Sequence, residues 1–172
     1  LYGSVSGGER TARRAASLRK GEDVRGTDRG HVVGVDFTGP HPVTADGNVW
    51  HMGVTEAKTR VKFSHAMADK TAVNARDALA KVVVELKKLV QGVGVARIHS
   101  DQDPAMQKEC RAWILENTWE QTDTGGYNCN ANAIQERANR KLHDQVRAML
   151  RTGAGHSTQY REVWDVLMQH AA

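Results

Sequence analysis

Three acidic residues are placed where they could hold the divalent metal ions of a phosphoryl-transfer enzyme. Asp36 ends the apolar run 32–35, Asp101 ends a second apolar run over 93–100, and Glu136 lies near the start of a long helical pattern. Two strand ends and one helix can converge on one point, and clustered carboxylates are the ligands that Mg²⁺ prefers. Two such ions about 4 Å apart can hold the attacking and leaving oxygens of a phosphodiester. The pattern predicts that Asp36, Asp101 and Glu136 are catalytic metal ligands for two Mg²⁺ or Mn²⁺ ions.

The strands that would position these carboxylates are predicted from the apolar periodicity. The compact run 32–36 is typical of a central strand buried on both faces. Apolar and polar residues alternate over 50–55 and again over 61–67, which predicts two half-buried strands and hence a three-stranded meander. A fourth strand is predicted over 93–100, and a short fifth strand over 119–122.

The helices are predicted from capping residues and from apolar stripes. Thr71 is a favourable N-cap and Gly92 a favourable residue after the C-terminus of the first helix. Asp103 followed by Pro104 opens a second helix that is predicted to run to about Asn117. Two further helices are predicted over 128–151 and 158–170. From the pattern alone the domain is α/β or α+β.

The helix over 128–151 separates an apolar stripe from a face with chemical groups. Glu136 lies about 200° around the helix from Ile134, which begins the stripe. On the side of Glu136 are Arg140, His143 and Arg147, and Lys141 adds a further cation. These four residues are predicted to bind the phosphate backbone of DNA. The alternative is an ion pair within the helix between Glu136 and Arg140, which is a common stabilising pair at i,i+4.

Composition limits the classes of protein that need be considered. A chain of 172 residues with a net charge of +4 suits one globular domain, and its two cysteines form neither a disulfide framework nor a zinc site. Basic residues outnumber acidic ones in segments 1–30 and 137–151, which suits a polyanionic partner. Residues 1–30 are predicted to be a basic, flexible lead-in or linker. No apolar run is as long as a membrane span, so an intracellular protein without membrane contact is expected.

Short segments around the three carboxylates resemble the motifs of one family. DFTGP at 36–40 resembles the Asp-x-x-Gly-Pro opening of retroelement integrase catalytic cores, and HSDQ at 99–102 resembles their segment around the second aspartate. NAIQER at 132–137 resembles the segment around their glutamate. The tail YREVW at 160–164 resembles the ending of copia-type retrotransposon integrases. The resemblance covers roughly residues 28–172.

This resemblance implies a fold, an activity and partners. It implies the α/β ribonuclease H-like fold, with a mixed five-stranded sheet flanked by helices, in a catalytic core domain over 31–172. It implies a Mg²⁺-dependent polynucleotidyl transferase that processes 3′ ends of element DNA and transfers strands into target DNA, with Asp36, Asp101 and Glu136 as ligands. Arg140 and His143 would contact element DNA. The expected partners are DNA and further copies of the chain. The protein is expected to act in the nucleus and to be cytoplasmic before it enters.

Two other functions remain open from the sequence. The first is a ribonuclease H-type nuclease, which would need a fourth carboxylate on the first long helix, where Glu85 and Asp77 are the candidates. The second is a decayed remnant that only binds nucleic acid. Departures from the family pattern, such as Ala133 in place of a glycine before Glu136, are the basis of that second alternative.

Overall fold

The computed structural model describes residues 32–90, 94–123, 133–152 and 164–172, and in these ranges five strands form one mixed sheet. The strands are β1 Val32–Thr38, β2 Trp50–Glu56, β3 Lys62–Met67, β4 Arg97–Ser100 and β5 Glu120–Asp123. Their order across the sheet is β3-β2-β1-β4-β5. The β1–β2 and β2–β3 pairs are antiparallel, whereas β4 lies parallel to both β1 and β5. The α/β fold with a mixed five-stranded sheet, predicted from the sequence, is confirmed.

Helices flank the sheet. They are α1 Ala72–Leu89, a short 3₁₀ helix Pro104–Met106, α2 Lys108–Glu116, α3 Ala133–Thr152 and α4 Trp164–Ala171. The predicted cap is confirmed, since Thr71 Oγ1 accepts a hydrogen bond of 3.3 Å from the backbone N–H of Asn74. Side-chain capping of this kind satisfies an N–H that the first helical turn leaves without a partner.

Two hydrophobic clusters pack against the sheet. The larger cluster joins α1, α2 and the 3₁₀ helix to residues such as Val35, Met52 and Ile98. A smaller cluster joins α3 and α4 through Leu142, Val146, Trp164 and Met168, with Ala66 of β3 packed against it. Helices therefore cover both faces of the sheet.

The prediction that β2 is half-buried is wrong. His51, Thr55 and Glu56 are buried to the same degree as Met52 and Val54. The reason is that α3 packs across the face of β2 that the alternating pattern would leave to solvent. Polar residues on one face of a strand predict that this face is exposed to solvent only where no other polar surface packs against it.

The predicted helix from Pro104 to Asn117 is broken into two. Met106 N–H bonds to Asp103 O, and Gln107 N–H bonds to Pro104 O, which gives a single tight 3₁₀ turn. The carbonyl of Met106 then accepts a hydrogen bond of 2.9 Å from Gln121 Nε2. Lys108, with φ of 49°, starts α2 in a new direction.

Other boundaries differ by a few residues. β4 begins at Arg97, four residues later than the predicted start, and α1 ends at Leu89, before Gly92. The predicted helix starts at 128 and 158 lie outside the described residues, as do the lead-in 1–30 and residues 91–93.

Within the described ranges, no helix combines the length and the apolar character that crossing a membrane requires.

Candidate active site

Asp36 and Asp101 lie side by side because of the register between two parallel strands. Val35 of β1 is paired with Ser100, the last residue of β4, so the residue that follows each of them along the chain is an aspartate at about the same level. Both residues are half-buried at the carboxyl ends of neighbouring strands. The carboxyl ends of parallel strands are where open α/β sheets commonly bind ligands. The structure therefore brings together two of the three predicted carboxylates.

Both oxygens of Asp36 accept hydrogen bonds. Oδ1 accepts from the backbone N–H of Phe37 at 2.9 Å, and Oδ2 accepts from Nδ2 of Asn139 at 2.7 Å. Burial raises the pKa of Asp36, and the negative charges of Asp101 and then Glu136 raise it further, against the lowering effect of the two hydrogen bonds. The ionised form of Asp36 is therefore unfavourable in this environment, and a bound cation would stabilise it.

The pKa of Asp101 is raised for similar reasons. Burial is the largest cause and the charge of Asp103 is the next, while the Asp103 N–H at 3.2 Å from Oδ1 and the charge of Lys70 act in the opposite direction. Two neighbouring carboxylates that both resist ionisation form a donor set that suits a hard divalent cation.

Glu136 lies in the first turn of α3, at the edge of this pair, and its side chain is exposed. It is near enough to raise the pKa of Asp36. Among the described residues, however, no three His, Cys, Asp or Glu side chains are arranged as a ready metal site. Asp36 and Asp101 fit as ligands, and the role of Glu136 as the third ligand stays a prediction.

Helix α3 is fixed to the sheet by two buried amides that sequence reasoning did not identify. Gln135 Nε2 donates to Asn139 Oδ1 at 3.1 Å, and Asn139 in turn donates to Asp36. A side chain at Gly53 would overlap both amides, so this glycine permits the close approach of α3 to β2. The i,i+4 spacing of Gln135 and Asn139 places both on one side of the helix, but their polar side chains give no sign in the sequence that this side is buried.

Lys70 and Asp103 border the site and were also missed. Lys70 Nζ lies 2.8 Å from Asp103 Oδ2 and 4.6 Å from the centre of the Trp50 ring. The charge of Lys70 lowers the pKa of Asp101. Lys70 itself is held by Asp103 and Trp50, which are far from it in sequence. Asp103 was interpreted only as a helix cap, which it also is, since its Oδ1 accepts from the Ala105 N–H at 2.9 Å.

Three of the four predicted DNA-binding residues share one surface. Arg140, His143 and Arg147 line a pocket of about 440 Å³ with His41 and Trp164, and both arginines are exposed. Lys141 is exposed on another side of α3, where it lines a second pocket with Arg137. The ion pairs found in the described ranges do not include one between Glu136 and Arg140, so that alternative has no support.

His143 is half-buried in a group of three histidines around the hydroxyl of Thr38. His41 Nε2, His51 Nδ1 and His143 Nε2 each lie 3.2 Å from Thr38 Oγ1. Burial lowers the pKa of all three, and His51 reaches about 3. These neutral rings tie the end of β1 to α3, so His143 has a structural partner in addition to its predicted contact with DNA.

Neither candidate for a fourth carboxylate on α1 is among the charges that act on the pKa of Asp36 or of Asp101. Asp77 is paired with Arg76 at 2.7 Å, and both side chains are at least 36% exposed. Glu85 lies beside His65 of β3, where its charge acts on the pKa of that histidine. Neither position supports the ribonuclease H alternative.

No protein-family model matches the chain, and no curated protein sequence matches it. Solved structures do. One is the cryo-EM structure of the simian T-cell lymphotropic virus intasome in complex with the PP2A regulatory subunit B56 gamma, with a TM-score of 0.66 and 15% identity, over 84% of this chain and 49% of that one. The present chain thus spans about half the length of that protein.

Two isolated catalytic domains are also similar. The HTLV-2 integrase catalytic core domain, in complex with magnesium and in a trimeric form, has a TM-score of 0.63 and 14% identity over 86% of this chain and 85% of that one. The catalytic core domain of BIV integrase has a TM-score of 0.54 and 19% identity, over 83% and 80%. At this identity the likeness establishes the fold, which is the ribonuclease H-like fold of integrase catalytic cores.

Proposed function

We propose that this chain is a retroelement integrase catalytic core of copia type, a polynucleotidyl transferase that processes 3′ ends and transfers DNA strands. The observation that carries the proposal is that Asp36 and Asp101 each follow one residue of the parallel pair Val35–Ser100, with the helix of Glu136 fixed to Asp36 through Asn139. Resemblance to structures of integrase catalytic cores supports the same conclusion.

Asp36 and Asp101 would hold a divalent ion, and Glu136 would complete the ligand set for two ions by turning its exposed side chain toward them. Bound Mg²⁺ or Mn²⁺ would neutralise charge on the reacting phosphodiester and lower the pKa of the attacking water or 3′-hydroxyl. The magnesium in the HTLV-2 catalytic core structure supports this choice of cation. Asn139 would keep Asp36 in one orientation, so that little reorganisation is needed when the cation binds.

Exposed cations on α3 would hold the DNA. Arg140, Arg147 and Lys141 extend into solvent from the helix that carries Glu136. Charge-assisted bonds to phosphates position a nucleic acid without reading its sequence. The intasome and the trimeric catalytic core among the similar structures support assembly with further copies of the chain. Integration of element DNA would take place in the nucleus.

The test is strand transfer from a pre-processed DNA end with Mg²⁺ or Mn²⁺, in wild type and in Glu136→Gln. We expect transfer by wild type and none above background by the variant. Glu116→Gln, which changes an exposed carboxylate at the end of α2, is the matched control and should retain wild-type activity. Transfer by Glu136→Gln at the wild-type rate would refute the assignment. Cleavage of an RNA–DNA hybrid without strand transfer would favour the nuclease, and DNA binding without any metal-dependent chemistry would favour the remnant.

A further inference from the structure

A second pocket lies between the β2–β3 hairpin and α3, on the flank of the helix away from Glu136. Its volume is about 430 Å³, and it is lined by Thr55, Arg60, Lys62, Arg137, Ala138 and Lys141. Around a helix, Arg137 and Lys141 lie roughly 100° and 140° from Glu136. The pocket is thus distinct from the surface of Arg140 and Arg147, although the same helix carries both.

Four cations meet in this pocket, two from the hairpin and two from one turn of α3. Among the described residues that line it there is no carboxylate. Burial lowers the pKa of Lys62, and the charge of Lys141 lowers it further, so the two ammonium groups repel each other across the pocket. An anion bound between Lys62 and Lys141 would relieve this repulsion.

The buried side of the pocket carries a polar group without a partner. Thr55 is 2% exposed, and its Oγ1 has no hydrogen-bond partner among the residues that the structure describes. Thr55 lies on the α3 side of β2, directly opposite Lys62 in the antiparallel register. A buried hydroxyl without a hydrogen-bond partner is rare in folded proteins and is unfavourable. A ligand oxygen in the pocket would satisfy it.

We propose that this pocket binds a backbone phosphate of the DNA strand whose reacting phosphodiester lies at Asp36 and Asp101. The inference rests on the proposed function for the identity of that strand. A phosphodiester offers two charged oxygens, which suit the planar forks of Arg60 and Arg137 and the point charges of Lys62 and Lys141.

The position of the pocket agrees with a strand that crosses the first turns of α3. Asp36 is paired with Gly53, and Thr55 lies two residues further along β2, which is about 7 Å. Lys62 is one strand beyond Thr55, at about 4.8 Å. The pocket is therefore on the order of 10 Å from Asp36, or about three nucleotide steps at roughly 3.4 Å of rise each.

The experiment measures the binding of a fluorescein-labelled branched DNA to the full chain by anisotropy, in EDTA and over a range of salt concentrations. Lys62→Gln should weaken binding severalfold and reduce the slope of log K against log salt by about one unit. Thr55→Val should weaken binding with no change in slope, because it removes a hydrogen bond and no charge. Lys88→Gln, which removes an exposed cation from the end of α1, is the matched control and should change affinity less than twofold.

Several outcomes would overturn the assignment. If Lys62→Gln behaves like Lys88→Gln while thermal melts show both folded, the pocket does not bind DNA. If inorganic phosphate raises the melting temperature of wild type but not of Lys62→Gln, and DNA affinity is the same in both, the pocket binds free phosphate and the assignment to a strand is wrong. Restored affinity and slope in Lys62→Arg would support it.

Because the assay contains EDTA, it does not depend on catalysis. A chain that binds DNA through Lys62 but never transfers strands would refute the proposed function and retain the phosphate site. If the chain transfers strands and Lys62→Gln leaves the kinetics of transfer unchanged, the phosphate site is refuted and the proposed function is retained.

Discussion

The amide of Asn139 joins the helix of Glu136 to the carboxylate of Asp36, and its orientation is fixed at both ends. Its Oδ1 accepts from Gln135 and its Nδ2 donates to Asp36, at 3.1 and 2.7 Å. Under the proposed function, Asn139 is a positioning residue that acts through Asp36. Residues that orient a metal ligand commonly contribute about 10–100-fold to affinity or activity.

We predict that Asn139→Ala lowers kcat for strand transfer about 10–100-fold while KM for DNA changes little, since the amide orients Asp36 and faces away from the exposed cations. Single-turnover kinetics with saturating DNA measure this. Gln145→Ala, on the exposed side of the same helix, is the control and should have wild-type rates. An equal loss in kcat and in DNA affinity would indicate a general disturbance of α3 instead.

The repulsion between the carboxylates leads to a second prediction at this scale. The pKa of Asp36 is raised in the folded protein, so the ionised group destabilises the fold at neutral pH, and that cost disappears as pH falls through the raised pKa toward 3.8. Asp36→Asn should therefore raise the Tm of the metal-free protein at pH 7, by about 2–4 °C for each kcal/mol relieved. Added Mg²⁺ should raise the Tm of wild type and not of the variant. A lower Tm in Asp36→Asn without metal would contradict the repulsion argument.

Residue types and spacing were sufficient to predict Asp36 and Asp101, because each directly follows an apolar run that forms a strand. The partners of these carboxylates could not be found in this way. Lys70 and Asn139 contact the site from elements that only the tertiary fold brings near it, and nothing in the local sequence indicates their neighbours.

At the scale of elements, the packing of α3 on β2 decides where Glu136 stands. Gly53 is the contact point, because a Cβ there would lie 2.9 Å from Gln135 Nε2 and closer still to Asn139 Oδ1. We predict that Gly53→Ala shifts the start of α3, destabilises the fold by about 1–3 kcal/mol and abolishes strand transfer. Denaturant unfolding and the transfer assay measure the two effects. Gly94→Ala, where a Cβ has no neighbour within 4 Å, is the control and should be close to wild type.

The histidine group at the end of β1 makes stability depend on pH. His51 is fully buried, with a pKa lowered to about 3 by burial and by the nearby charges of His143, His41 and His65. The unfolded chain takes up a proton near pH 6.5 and the folded chain does not, so stability is highest above pH 6.5 and is lost as pH falls toward 3. The raised pKa values of Asp36 and Asp101 act in the opposite sense at lower pH.

We predict that the free energy of unfolding falls by about 1.4 kcal/mol for each pH unit below 6.5 because of His51 alone. Urea unfolding at pH 7.5, 6.5 and 5.5 measures this slope. His51→Gln should have a shallower slope, even if its stability at pH 7.5 is lower through the loss of the contacts with Thr38 and Ser64. An identical slope in the variant would show that His51 is not the group responsible.

The predicted helix 104–117 fails for a reason that belongs to the same scale. Capping signals at Asp103 and Pro104 are real, and they do start a helical turn. The turn ends after Met106 because a side chain of β5, Gln121, takes its carbonyl. Local signals thus predicted the start of the element, whereas its end depends on a contact across the fold.

For the whole molecule, the sequence predicted that β1, β2 and β3 form a meander, which is confirmed, but it did not place β4 beside β1. The strand order places β1 in the centre, between an antiparallel and a parallel partner, and only this arrangement sets Asp36 beside Asp101. The resemblance of short motifs to integrase catalytic cores implied a mixed five-stranded sheet flanked by helices, and similarity to solved structures confirms that fold. The polar back of the sheet, covered by α3 and α4, was not evident from periodicity.

The central claim is that Asp36, Asp101 and Glu136 share catalytic metal ions, and the most direct test is anomalous diffraction from crystals grown with Mn²⁺. We predict anomalous density between the carboxylates of Asp36 and Asp101 at ligand distance, with Glu136 turned inward to complete the coordination. Crystals of Asp101→Asn grown under the same conditions should lack that density. Mn²⁺ bound elsewhere in the wild type, or a fully loaded site from which Glu136 stays turned away, would contradict the account.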